Sequence, residues 1–247
     1  MCQIGLIRTI YLNLNRIIFS FLFLVLPMVS INSLYYSLIV FLVSFGSSFT
    51  VSGQSGWKLA EDRDGIKVFT RPVQNSKIKA IKVECNLQAT SSQLVAAILD
   101  IKTCGEWVYN SKKNIPIKQI SPLDLIYYAE VEVPWPVENR DYVVHIKVDQ
   151  QPQTKVVTVN SPCIPGYVDE KEGIVRISQS VAKWTITPMG KNQVKAEYVL
   201  EVDPMGSIPA WLTNLFATKG PYETFRKLKV HVQKEVYKKA DFASITD

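Results

Sequence analysis

PYETFRKLKVHVQKEV, residues 221–236, places Tyr222, Phe225, Leu228, Val232 and Val236 at spacings of three and four. That period is helical, and the apolar stripe it draws is wide enough to lie on a sheet. Pro209 and Pro221 each suit the first turn of a helix, where a missing amide hydrogen costs nothing. The Lys219-Gly220-Pro221 triplet reads as a break at which a preceding segment carrying Trp211, Leu215 and Phe216 is free to move.

The chain ahead of this helix has a different period. From residue 115 to 203, short alternating runs are separated by Pro, Gly or Asn turns. LIYYAEVEV turns Leu125, Tyr127, Ala129, Val131 and Val133 inward and Glu130 and Glu132 outward. DYVVHIKV turns Tyr142, Val144, Ile146 and Val148 inward. KVVTVN, GIVRISQSVAKWTI and QVKAEYVLEV continue the meander, the last with Val194, Ala196, Tyr198, Leu200 and Val202 on one face. A large antiparallel sheet with one buried face follows. Further upstream, WKLAEDRDG reads as a short helical start whose Asp64-Gly65 turn leads into the strand IKVFTR. KIKAIKVECNL alternates with Ile81, Val83, Cys85 and Leu87 on one face, and TSSQ is a capping box opening the helix LVAAILDI. The fold class is α+β, with a curved antiparallel sheet around a long C-terminal helix.

The 247 residues are 47% hydrophobic and 20% charged, an ordinary globular composition apart from its distribution. No charge occurs from Ile17 to Thr50, where the apolar runs 17–29 and 34–45 dominate. Neither run alone has the roughly 20 residues of a membrane-spanning helix. Residues 1–56 are expected to be a signal peptide, with a retained N-terminal membrane anchor as the alternative and Met28 as an alternative start. The domain proper is expected at 57–240, with a C-terminal tail at 241–247. Setting the leader aside removes Arg8 and Arg16 and no acid, so the net charge of +6 falls to a mild +4. Much of that excess lies in RKLKVHVQKEVYKK, the solvated face of a helix, and no basic-aromatic stripe points to nucleic acid. Cys85, Cys104 and Cys163 match no metal or redox spacing.

Four segments in order, GEWV (105–108), VPWPVENRDYV (133–143), KWTITP (183–188) and DPMGSIPAWLTNLFATKGPYETFRKL (203–228), resemble a bacterial StAR-related lipid-transfer (START) domain. The resemblance runs from about Trp57 to Tyr237. It implies a helix-grip fold whose sheet and terminal helix enclose an apolar tunnel for one lipid-like molecule, with no cofactor and no catalytic step. The expected ligand contacts are Arg140, Tyr127, Tyr142, Val144 and Tyr198 on the strands and Trp211, Phe216 and Phe225 near the chain's end. Arg140 shares the parity of Tyr142 and Val144, so its guanidinium points inward. It either orients the polar head of a ligand, as the family's arginine in the RD pair implies, or stabilises the turn through an ion pair or backbone carbonyls. The tyrosines either meet the ligand or are core residues with one backbone hydrogen bond. Trp135, stiffened between Pro134 and Pro136, is placed to cover one end of the sheet.

Related helix-grip domains include cyclases and hydrolases, which need an acid or base in the cavity. His145 reads outward and His231 lies at the edge of the helical stripe, so no catalytic residue is assigned. An exported monomeric binder of a hydrophobic molecule, in transient contact with membranes, is the expectation. A helix-grip enzyme and an anchored envelope interaction module are the alternatives.

Overall fold

The computed structural model describes residues 56–73 and 79–247; the expected leader, apart from its last residue Gly56, lies outside them. Strands β1 (Lys58–Arg63), β2 (Ile66–Pro72) and β3 (Lys79–Leu87) come first. They are followed by helix α1 (Ser91–Leu99), a 3-10 turn (Ile101–Thr103) and the short α2 (Cys104–Trp107). Then come β4 (Ser111–Ser121), β5 (Asp124–Val131), β6 (Asn139–Gln150), β7 (Val157–Pro162), β8 (Ile174–Arg176), β9 (Gln179–Pro188) and β10 (Val194–Asp203). The chain closes with α3 (Ala210–Asn214), a π turn (Leu215–Lys219), α4 (Gly220–His231) and α5 (Glu235–Lys238).

The strands form one sheet in the order β1-β2-β3-β10-β9-β7-β6-β5-β4, antiparallel throughout this path. β8 joins parallel to the start of β6. The stretch GIVRISQSVAKWTI, expected as one strand, is thus two, and the first of them docks on the sheet from a crossover. The expected N-terminal helix is also corrected. WKLAEDR is strand β1, because Asp64 and Gly65 both take positive φ (54° and 71°) and form the tight turn of a β1–β2 hairpin. Asp-Gly between two runs is a hairpin signal, and it outweighs the weak helical pattern of the residues before it.

The terminal helix lies against this sheet. Phe225, Leu228 and Val232 are wholly buried with Ile66, Val83 and Trp184 in the main core. Burying such side chains contributes about 1.5–3 kcal/mol each, which is what holds a helix too short to be stable alone. Tyr222 accepts from Arg63 Nε at 2.8 Å and donates to Asp64, tying the hairpin to α4. At the other end the Gln93 side chain, itself in the Thr90 capping box, donates to the Val232 carbonyl at 2.7 Å. The stripe stops there: Lys234 is extended, so Val236 faces solvent and Tyr237 turns into the core instead. Residues 241–247, set apart as a tail, fold back onto the domain. Ile245 is buried, and the Asp247 side chain accepts from the Ser92 amide at 2.8 Å.

No break occurs at Lys219-Gly220-Pro221. Residues 210–231 form a continuous helical run with a widened turn at 215–219, which accommodates a proline that lacks an amide hydrogen. Gly220 is pressed against Tyr109, where an added Cβ would come within 3.2 Å of the ring.

Around β5 and β6 the sheet is buried on both faces. Glu130 points outward as its parity requires, yet it is buried, accepting from Lys112 at 2.9 Å and from Asn139. Ile126, Tyr128 and Val143 pack beside it under Ile164 and Val168 from the crossover before β8. Asp141 anchors that crossover through a fully buried two-pronged pair with Arg176 at 2.7 and 3.1 Å. Arg176 also donates to the Val168 and Asp169 carbonyls. Replacing Arg176 by Met alone should strand a buried carboxylate and cost about 3–5 kcal/mol in urea unfolding. Adding Asp141→Leu should recover most of that loss, because the unpaired charge is then gone.

Candidate ligand-binding cavity

Between the sheet and the terminal helical run lies a cavity of about 310 Å³. Small side chains create it. Ser161 and Ala182 face each other across β7 and β9, Ser180 lies next to them, and Ala217 and Gly220 stand opposite in the helix. The remaining walls are aliphatic and aromatic, with Ile98, Ile101, Cys104 and Trp107 closing the α1–α2 side.

Tyr127, Tyr142, Val144 and Tyr198 all line this space. Tyr127 pairs with Val144 across β5 and β6, and its ring meets Tyr142 edge-on at 6.3 Å. Tyr198 tilts against Trp184 at 4.7 Å, and Trp184 stacks on Phe225 at 5.2 Å. Burial pushes the phenols of Tyr127, Tyr142 and Tyr198 up from their ordinary range, so they stay neutral hydroxyls at any physiological pH. Phe216 and Phe225 line the helical side. Trp211 does not: its indole is 51% exposed, and the neighbouring Leu212 takes the inward position on that turn. Trp135 is likewise corrected. It is 89% exposed in the loop before β6, after a buried Val133, and covers nothing.

Among the described residues, Arg140 is the only charged one in the lining. It lies in β6 at 4% exposure, and its guanidinium donates to backbone carbonyls only: Pro204 at 3.4 Å, Met205 at 3.3 Å, and Glu138. Burial pulls its pKa down from the usual arginine range, with Glu138 partly opposing that. The neighbouring residue of the Arg-Asp pair, Asp141, points to the opposite face, so it offers Arg140 no counter-charge. The two histidines lie outside the lining. His145 pairs with Asp124 at 2.6 Å, and His231 meets Thr103 and Tyr237 at 3.2 and 2.9 Å.

The START domain family model matches residues 50–238. The chain belongs to the START domain family. It is 32% identical to an uncharacterized protein of Pseudomonas aeruginosa over 189 residues, which span 75% of this chain and 93% of that one. It is 28% identical to the phosphatidylcholine transfer protein of Mus musculus over 74% of this chain and 86% of that protein. Among solved structures, a STAR-related lipid transfer protein from Xanthomonas axonopodis superposes with a TM-score of 0.66 at 30% identity, covering 72% of this chain and 99% of that one.

Several residues of this START cavity were missed in the sequence. Ser180 alternates with Ala182 and Trp184 along β9, so strand parity alone assigns it inward. Ile101, Cys104 and Trp107 carry no such signal, since they sit on short turns whose direction only the packing fixes. Cys85 and Cys104 are buried, and burial pushes both thiols up to about 12. Thiolate is the reactive form. Alkylation at pH 8 followed by peptide mapping should therefore find both protected in the native protein and labelled after denaturation. Bound ligand should slow Cys104 further and leave Cys85 unchanged.

Proposed function

We propose that this START protein is a carrier that takes one lipid into the cavity and moves it between membranes without chemical change. The observation that supports this most directly is the lining, which among the described residues is mostly apolar, with a single charge and neither histidine nor carboxylate. Cavities of this kind need only a few polar groups to orient a ligand. A cyclase or hydrolase most often uses a histidine or carboxylate as acid or base, and the described lining has neither; burial keeps Cys104, Tyr127, Tyr142 and Tyr198 protonated. The phosphatidylcholine transfer activity named for the mouse relative and the lipid transfer named for the Xanthomonas structure agree with the reading. Export, by cleavage of the apolar leader, is part of the same proposal.

Transient membrane contact belongs to it as well. Trp135 and Trp211 are both exposed, and Arg140 binds carbonyls in the chain after the first, at Glu138, and before the second, at Pro204 and Met205. Amphipathic aromatic tips of this kind settle at the lipid–water boundary. Native mass spectrometry of the protein purified from its own host should show one lipid per chain; protein that stays empty against a lipid panel rejects the carrier. Replacing Ser180 by Phe should fill the cavity and abolish loading with little loss of stability. Trp135→Ala and Trp211→Ala together should leave loading intact and slow lipid exchange between vesicles.

A further inference from the structure

A buried polar cluster lies beside the cavity wall that Ile101, Cys104 and Trp107 form. Tyr237 donates to the Asp100 carboxylate at 2.9 Å, and Thr103 donates to the Asp100 carbonyl at 3.0 Å. Each hydroxyl has one hydrogen, and a carboxylate or a carbonyl can only accept. Both oxygens therefore meet His231 Nε2 as acceptors, at 2.9 and 3.2 Å, which places the ring hydrogen on Nε2 and leaves Nδ1 as the basic atom. Nδ1 faces the Glu106 carboxylate at 3.6 Å, and Glu106 is already bound by Lys234. Among the described residues, every side-chain hydrogen bond and ion pair from residues 100–107 to more distant parts of the chain ends on His231, Lys234 or Tyr237. Trp107 Nε1 is buried without a partner among the described residues, so the indole adds no polar hold of its own.

We propose that His231 is a proton-operated latch on the cavity: neutral, it holds the wall at residues 101–107 against the end of the terminal helix, and protonated, it releases that wall and speeds ligand exchange. The link to the cavity is short, since the Trp107 ring lies 6.2 Å from the His231 ring and also lines the space. The groups that face the imidazole are Asp100 at the end of α1, Thr103 in the 3-10 turn, Glu106 and Trp107 on α2, and Lys234 and Tyr237 around α5. A proton arriving on Nδ1 needs Glu106 as its partner and must compete for it with Lys234, whose ammonium repels it. His231 is 5% exposed, so water solvates the new cation poorly. Burial and then Lys234 pull the imidazole below its ordinary range, with Glu106 and Asp100 opposing. Its contribution to stability is therefore complete above an unfolded value of about 6.5 and is lost as pH falls through the lower folded value. Anionic lipid supplies a fall of this kind, because a surface potential of about −30 mV concentrates protons roughly threefold. Control of exchange rests on the carrier reading; the latch rests on the cluster alone.

Two readouts on the whole protein test this. The first is amide hydrogen exchange, corrected for intrinsic rates, at about pH 7.5 and about pH 5.5, on either side of the ordinary histidine value. Acid should speed exchange in residues 101–108 and 231–238, by up to about tenfold for each pH unit by which the folded value lies below the unfolded one, and leave the centre of β3, β10 and β9 unchanged. His231→Gln keeps an N–H donor near the position of Nε2 and cannot titrate, so it should abolish the acid effect. His145→Gln, at the other of the chain's two histidines, should leave it intact. The second readout is transfer of fluorescent phosphatidylcholine between vesicles, which should quicken in acid for the native chain and not for His231→Gln. If His231→Gln fails to fold, nitrogen NMR of the native histidines decides: the Nε2–H form titrating below about 6.5 is expected, and the Nδ1–H form overturns the latch. An acid effect that persists in His231→Gln, or unchanged exchange at 101–108, also overturns the latch and leaves the carrier reading standing. A wall that loosens in acid, with no transfer of any lipid from a panel at either pH, overturns the carrier reading and leaves the latch.

Discussion

Two adjacent residues of β6, Arg140 and Asp141, point to opposite faces of the sheet because strand side chains alternate. Each is buried, and each fixes a separate piece of chain. Asp141 holds the crossover before β8 through Arg176, while Arg140 gathers the carbonyls at 204–205, where β10 leaves the sheet for the terminal helix. A one-residue slip of β6 would exchange these roles, placing a carboxylate in the cavity and a guanidinium under the crossover. The strand's register and the site's electrostatics are therefore the same constraint.

That constraint explains an asymmetry between the two charges. The outward pair is neutralised within the protein, at a distance and burial that leave no room for exchange with solvent. The inward charge is only solvated by carbonyl dipoles. Both environments satisfy the rule that buried polar groups find hydrogen bonds. Of the two charges, only the second retains unused donors beside an apolar space.

How much of this was legible in the sequence depended on whether local pattern or tertiary contact decided the outcome. The terminal helix, the capping box at Thr90 and the inward faces of β3, β5, β6 and β10 followed from periodicity, because one buried face imposes its period on the residues. β1 was misread where a strong two-residue turn competed with a weak helical pattern. The exposure of Glu130 was misjudged because its cover, residues 163–177, arrives from a distant crossover that no local pattern announces. Trp135 was read as a cover for one end of the sheet and Trp211 as a ligand contact, but Val133 and Leu212 hold the inward positions beside them. The END of the apolar stripe at Val232 was equally invisible, since it depends on a side chain from α1.

The cavity itself carries an energetic consequence. Side chains around a 310 Å³ cavity forgo part of the packing that a filled core supplies. A fold that keeps such a space open must be over-determined at its edges. The contacts at the rim are consistent with this: the Tyr222–Arg63–Asp64 link, the Gln93 cap on Val232 and the folded-back C-terminus each tie an end of the terminal helix or its neighbours to elements distant in sequence. A ligand that fills the cavity returns the lost packing contacts and, if it is anionic, also completes the coordination of Arg140.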